Sequence, residues 1–175
     1  MRRVVTGNDA DGASVFVSDE EVEPLTLAMM PGAAFVKVWG SDEPVVLPAD
    51  GSPPATVAYL PPPHGFRFDV VTLAPADAAP PADLDLVAAQ AEMEAKLPGL
   101  EVLMEPDHPG FHTTDTVDFD VIISGEVWLE LDGGERVLLR AGDCVIVNGT
   151  RHSWHNESNA PCVIVNAILG AERRP

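Results

Sequence analysis

The sequence predicts an all-β fold, and three observations carry that expectation. In the last third of the chain apolar and polar residues alternate over short runs, as in Val127, Leu129 and Leu131 against Trp128, Glu130 and Asp132. Turn residues interrupt these runs at Gly133-Gly134, Ala141-Gly142-Asp143 and Gly149-Thr150. Short strands divided in this way close into an antiparallel barrel or sandwich. The third observation is the scarcity of helical spacing, since only residues 83–97 read as a helix.

Taken in order, Ser14–Ser18, Ala33–Gly40 and Phe66–Leu73 are short apolar runs that read as strands. Between them, Ser52-Pro53-Pro54 and Leu60-Pro61-Pro62-Pro63-His64-Gly65 lack the amide donors of a central strand and are expected as edges or surface loops. So few strands, so interrupted, would not bury a core unaided, and residues 1–75 are read as an N-terminal extension of one domain spanning 1–175. Ala, Pro and Asp dominate residues 74–83, which mark a connector, and Asp83 is placed as the N-cap of the helix. Leu84, Val87, Ala88, Ala91, Met93, Ala95 and Leu97 form its apolar positions, read as a packing face, and Pro98-Gly99 stops it.

Residues 100–170 are expected as the barrel core. The run around Val127–Leu131 turns at Gly133-Gly134 and returns through Val137-Leu138-Leu139, followed by Cys144–Val147 and a stretch ending at Cys162–Val165. Both cysteines fall inside apolar strands and are expected to be small buried thiols without function.

Composition bounds the function. The 175 residues suffice for one core without disulfides or a structural metal, so that any metal would serve chemistry. Ten Lys plus Arg against 28 Asp plus Glu give a net charge of −18, which repels nucleic acid and anionic membranes. Two cysteines make no disulfide framework, the first residues contain no apolar run resembling a signal peptide, and no stretch approaches a membrane span. The expectation is a cytoplasmic protein acting on a small molecule.

Four of the five histidines, His108, His112, His152 and His155, lie in the last 70 residues or so. In an extended chain His112, Thr114, Thr116 and Asp118 project to one side, and His152 shares parity with Trp154 and Asn156. If those strands lie side by side, two imidazoles and a carboxylate converge and leave positions open for water or substrate. On spacing alone, each histidine reads more readily as a hydrogen-bonded strand-end residue.

Residues 110–156 resemble the two motifs of the cupin superfamily, small jelly-roll β-barrels that commonly hold one metal ion. The first motif has two histidines one residue apart, then a Glu, then a Gly. Here His112 matches the first histidine and Gly125 the closing glycine, while Asp118 replaces the Glu and Thr114 the second histidine. The second motif is matched by Gly149, His152 and Asn156 within Gly142–Asn156. The resemblance implies a cupin-type jelly roll with the N-terminal strands extending one of its sheets, and a homodimer.

It also implies one divalent metal ion, Fe, Mn or Zn, held by His112, Asp118 and His152, with Thr114, Trp154 and Arg151 around the substrate. Asp120 and His155 are the candidate bases, although the odd offset of His155 from His152 turns it to the opposite face. The reaction class expected is a lyase or isomerase working by Lewis-acid activation of a small oxygenated substrate. Two alternatives accompany it: an Fe(II)-dependent dioxygenase, and a non-catalytic ligand-binding cupin.

Overall fold

The computed structural model describes residues 1–174. Eleven strands and one α-helix follow one another as β1 (Arg2–Asn8), β2 (Ser14–Glu21), β3 (Leu25–Leu27), β4 (Met30–Ser41), β5 (Phe66–Leu73), α1 (Leu86–Lys96), β6 (Thr116–Ser124), β7 (Glu126–Leu131), β8 (Arg136–Arg140), β9 (Cys144–Asn148), β10 (His152–His155) and β11 (Cys162–Gly170). The all-β jelly-roll expectation is met. A six-stranded sheet runs β3-β4-β5-β11-β6-β9, a three-stranded sheet runs β10-β7-β8, and β1 pairs with β2 as a separate hairpin. The N-terminal strands β3, β4 and β5 therefore do extend a sheet of the barrel, joining it through the antiparallel β5–β11 pair.

Two motif glycines have a steric reason. Gly125, at φ 75°, turns β6 into β7 where an added Cβ would lie 2.5 Å from the Pro161 carbonyl oxygen. Gly149, at φ 59°, sits against the Thr114 carbonyl oxygen, 3.0 Å from where a Cβ would be. Both positions combine a left-handed backbone with a close approach, which only glycine tolerates without strain. The motif residue Asn156 builds the next turn: its amide donates to Ala160 O (2.8 Å) and its oxygen accepts from Ser158 N (3.0 Å).

The helix starts later than the sequence suggests. Asp85, not Asp83, is the N-cap, accepting from Val87 N (3.0 Å) and Ala88 N (3.1 Å). The buried face is Ala89, Met93 and Leu97, spaced by four, whereas Val87 lies in solvent. Lys96 donates to the Thr26 carbonyl (2.7 Å) and Glu92 accepts from Ala28 N (2.8 Å), fastening α1 beside β3. Leu97, Met93 and Leu100 pack with Leu27, Phe35 and Tyr59 in one apolar cluster, while Ile122, Val127, Leu129, Leu139, Cys162 and Ile164 form a second between the sheets. Of the two thiols expected inside, Cys162 is buried but Cys144 is exposed. It opens β9 at the edge of the six-stranded sheet, where no further strand covers it.

The proline-rich loops are not wholly surface. Tyr59 and Pro61 are buried, because Arg67 on β5 points inward and gathers the loop carbonyls around its guanidinium. Arg67 donates to Tyr59 O (3.1 Å), Ala58 O (2.8 Å) and Ser41 O (3.2 Å) and to the Asp42 carboxylate (2.5 Å). Five guanidinium donors on so many acceptors fix the loop that delivers Tyr59 to the interior. Among the described residues no helix is long and apolar enough to cross a membrane.

Candidate active site

Thr114, Thr116, Asp118, Asp120 and Ile122 are all buried, because alternate residues of β6 and the segment before it face the interior. Antiparallel register sets Asn166 of β11 between Asp120 of β6 and Asp69 of β5. Asn166 donates its amide to Asp120 Oδ1 at 2.6 Å. The two Asp69 oxygens, Asp118 Oδ1 and Asn166 Oδ1 are buried with no hydrogen-bond partner among protein groups. Such groups are costly to leave unpaired in a finished core. They look into a cavity of about 340 Å³ bounded by Asp118, Asp120, Asn166, His112 and His152 on its polar side, or, for Asp69, lie next to it beyond Tyr59.

His112 and His152 meet across the junction of the two sheets. Their backbones exchange two hydrogen bonds of 3.0 Å, and their rings lie 4.3 Å apart between centroids. Each ring is oriented by a carbonyl two residues earlier: His112 Nδ1 donates to Gly110 O (3.0 Å) and His152 Nδ1 to Thr150 O (2.8 Å). A carbonyl only accepts, so Nδ1 carries the proton in both rings and Nε2 keeps its lone pair. Burial pushes both imidazoles below the ordinary histidine range, and for His112 the neighbouring His152 ring adds to this. Both are neutral acceptors at neutral pH.

Burial acts oppositely on the carboxyls. It pushes Asp120 up to about 7, against the lowering effect of Asn166 and with the neighbouring Asp118 adding to the rise. Asp118 is raised by burial too, and Asp69 is pushed up to about 6. Tyr59 is raised by its burial and by the three carboxyls Asp69, Asp118 and Asp120, which holds its hydroxyl firmly protonated. The two carboxyls Asp118 and Asp120 share one buried wall, and each disfavours ionisation of the other.

The metal set expected from the sequence is only partly assembled. The donor types are suitable: two neutral imidazoles with free Nε2 and a carboxyl oxygen without a partner. Yet among the described residues no three His, Cys, Asp or Glu side chains are grouped to hold one ion. His112 and His152 come together, and Asp118 lines the same cavity. The residues therefore do not form the expected three-ligand site. Thr114, in the place of the missing histidine, is spent on its neighbour, accepting from the Thr116 hydroxyl at 2.7 Å.

Two further expectations are corrected. His155 is not a base in this site: it lies on the outer side of β10, with Nε2 3.1 Å from Glu130 Oε2 and its ring edge toward Phe111. The odd offset from His152 is the cause. Arg151 does not reach this cavity either. Its guanidinium makes two hydrogen bonds to Glu105 (2.6 and 2.7 Å) and one to Asp132 (2.8 Å), and lies 4.0 Å over the Phe111 ring. Trp154 does line the cavity. Tyr59, Asp69 and Asn166 are polar interior residues that motif reading overlooked. Strand parity offered a signal for Asp69 and Asn166, each a lone polar residue in an apolar run, whereas Tyr59 gave none.

A small β-barrel with imidazoles and carboxyls gathered inside it is the architecture of a cupin-type barrel. Residues 100–168 match the family model described as Cupin domain. Oryzines biosynthesis cluster protein J of Aspergillus oryzae is 46% identical over 67 residues, 35% of this chain and 37% of that protein. Cupin-domain-containing oxidoreductase virC of Hypocrea virens is 38% identical over 45 residues, 26% of this chain and 23% of that protein. The chain thus spans little more than a third, at most 37%, of the length of these relatives. The Schizosaccharomyces pombe Cnp3 cupin domain has a TM-score of 0.50 at 11% identity, covering 97% of this chain and 87% of that one, a likeness of fold alone.

Proposed function

We propose that the chain is an enzyme of the lyase or isomerase type, dehydratase-like, that moves protons on a small oxygenated organic molecule. One observation carries the reading: a mainly apolar cavity is lined on its polar side by two buried carboxyls, Asp118 and Asp120, and by two imidazoles, His112 and His152. Asp120, ionised in part near neutral pH, takes a proton from a carbon beside a carbonyl. The C–H electron pair forms the new C=C bond and expels a β-hydroxyl, which leaves as water with a proton from Asp118. Transfer of the proton from Asp120 to Asp118 restores the starting state. Asn166 orients the base through its 2.6 Å hydrogen bond, and the Nε2 atoms of His112 and His152 accept from substrate hydroxyls. The relative's name, which assigns it to a biosynthesis cluster, is in keeping with such chemistry on natural products.

The test is to incubate the protein in D2O with a panel of neutral aryl β-hydroxy ketones and follow water loss and deuterium incorporation by NMR. The wild type should show both, and Asp120→Asn should lose at least about 10²-fold. Equal rates in the two proteins would refute the assignment. A second reading, an Fe(II)-dependent dioxygenase, is favoured by the relative named as an oxidoreductase and by the two free imidazole nitrogens. Turnover that appears only with added Fe(II) and oxygen would select it.

A further inference from the structure

The polar and apolar parts of the cavity come from different stretches of sequence. His112, Asp118, Asp120, His152 and Asn166 belong to the segment that matches the family, residues 100–168. Much of the apolar wall belongs to residues that precede it: Met29, Met30, Phe35, Tyr59 and Met93. Four of the five methionines in the chain, Met29, Met30, Met93 and Met104, line this one space. Unbranched thioether side chains adapt to the outline of an apolar guest and favour contact with aromatic rings.

Charge is as selective as shape. Among the described residues, no lysine or arginine lines the cavity. Arg67 and Lys37 line a separate space on the other side of Tyr59. Arg67 is saturated by loop carbonyls and Asp42, and Arg151 is engaged by Glu105 and Asp132. Among the described residues the ionisable groups on the wall are two carboxyls, two imidazoles whose Nδ1 atoms donate to backbone carbonyls, and the Tyr59 hydroxyl. A carboxylate or phosphate inside would lose its water with no cation to replace it and would face Asp118 and Asp120.

We infer that the cavity selects an uncharged, mainly apolar and aromatic molecule carrying its oxygen functions at one end, and excludes organic acids and phosphate esters. This rests on the reading of the same cavity as the reaction site and specifies the substrate class. The residues that precede the family segment thereby help set specificity: they supply much of the adaptable wall, to which Met104 of the family segment adds, and the family segment supplies the polar groups. The cavity of about 340 Å³ falls at the lower end of the range that holds a small ligand.

A matched pair of fluorescent probes tests it. N-phenyl-1-naphthylamine is neutral, and 8-anilino-1-naphthalenesulfonate has the same ring system with an added sulfonate. In about 0.3 M salt, which screens the net charge of the surface, the neutral probe should bind at least about tenfold more tightly. Met104→Glu, at a half-buried wall position, should weaken the neutral probe about tenfold, while Phe119→Ser on the outer sheet face should leave it unchanged. Asp120→Asn, which removes a wall charge, should narrow the preference between the probes. Equal binding of both probes, indifference to Met104→Glu, or an unchanged preference in Asp120→Asn would each overturn the inference. Probe binding involves no reaction, so selective binding without deuterium exchange would remove the lyase reading and keep the ligand class. Exchange accompanied by tight sulfonate binding would do the reverse.

Discussion

Asn166 holds Asp120 by a 2.6 Å hydrogen bond, and the same Asn stands opposite Asp69 in the neighbouring strand. One amide thus separates two carboxyls that burial pushes up to about 7 and about 6. The sign of the pH dependence follows. Between the ordinary carboxyl value of about 4 and the native value of about 7, the unfolded chain has released the Asp120 proton and the folded chain still holds it. The folded state binds more protons, so this contribution is fully present at low pH and is lost as pH rises through that window. For Asp120 the loss by pH 8 is on the order of 3–4 kcal/mol. Asp120→Asn should therefore gain stability relative to the wild type as pH goes from about 4 to 8, read from urea midpoints. A difference that does not vary with pH would show that Asp120 titrates normally.

The histidine pair gives the opposite slope. Burial depresses both imidazoles, so below the ordinary value of about 6.5 the unfolded chain takes up protons that the folded chain refuses. Their contribution to stability is present above that value and fades as pH falls below it. His112→Gln should lose less stability than the wild type between about pH 7 and 5. Imidazole NMR resonances should report neutral rings, protonated at Nδ1, at pH 7. Two titrations near the ordinary value would show that burial does not depress these rings.

How much of this was legible in the sequence depends on how far each feature reaches. Alternation is local, so β7, β8, β9 and β5 could be read directly, as could the common face of Thr114, Thr116 and Asp118. The shift of the helix cap from Asp83 to Asp85 is a choice between two equally good capping residues, decided by which turn brings Met93 and Leu97 onto the β4 side. Cys144 was misjudged because apolar neighbours do not reveal that β9 is an edge strand. Tyr59 was hidden more deeply. Its inward position depends on an arginine eight residues later that captures loop carbonyls, and nothing in a proline-rich stretch announces this.

Arg67 therefore offers a direct test of how the loop is held. Its guanidinium is buried against Asp42 and the carbonyls of Ser41, Ala58 and Tyr59. Arg67→Met leaves those acceptors without donors and Asp42 without its cation, and should cost about 3–5 kcal/mol. Hydrogen exchange should rise first around residues 57–61, before global unfolding. A loss confined to global stability, with this loop still protected, would mean that packing of Tyr59 alone holds it.

Arg151 should have the opposite signature, a local effect with little global cost. It joins the start of β10 to Glu105 by two hydrogen bonds and covers Phe111, so it clamps the segment that carries Leu100, Leu103 and Met104 over the cavity. The ion pair is partly solvated, and such pairs add little to the free energy of folding. Local opening is a different quantity, because only the contacts of the segment itself oppose it. Arg151→Ala should leave Tm within a few degrees of the wild type while amide exchange over residues 101–111 accelerates about tenfold or more. The neutral naphthylamine probe should leave faster in stopped-flow mixing, with a smaller change in its association rate. Glu105→Gln, which keeps the shape of the partner but not its charge, should fall between the two proteins. Unchanged exchange over this segment in Arg151→Ala would show that the apolar contacts of Leu100 and Met104 close the cavity without the clamp.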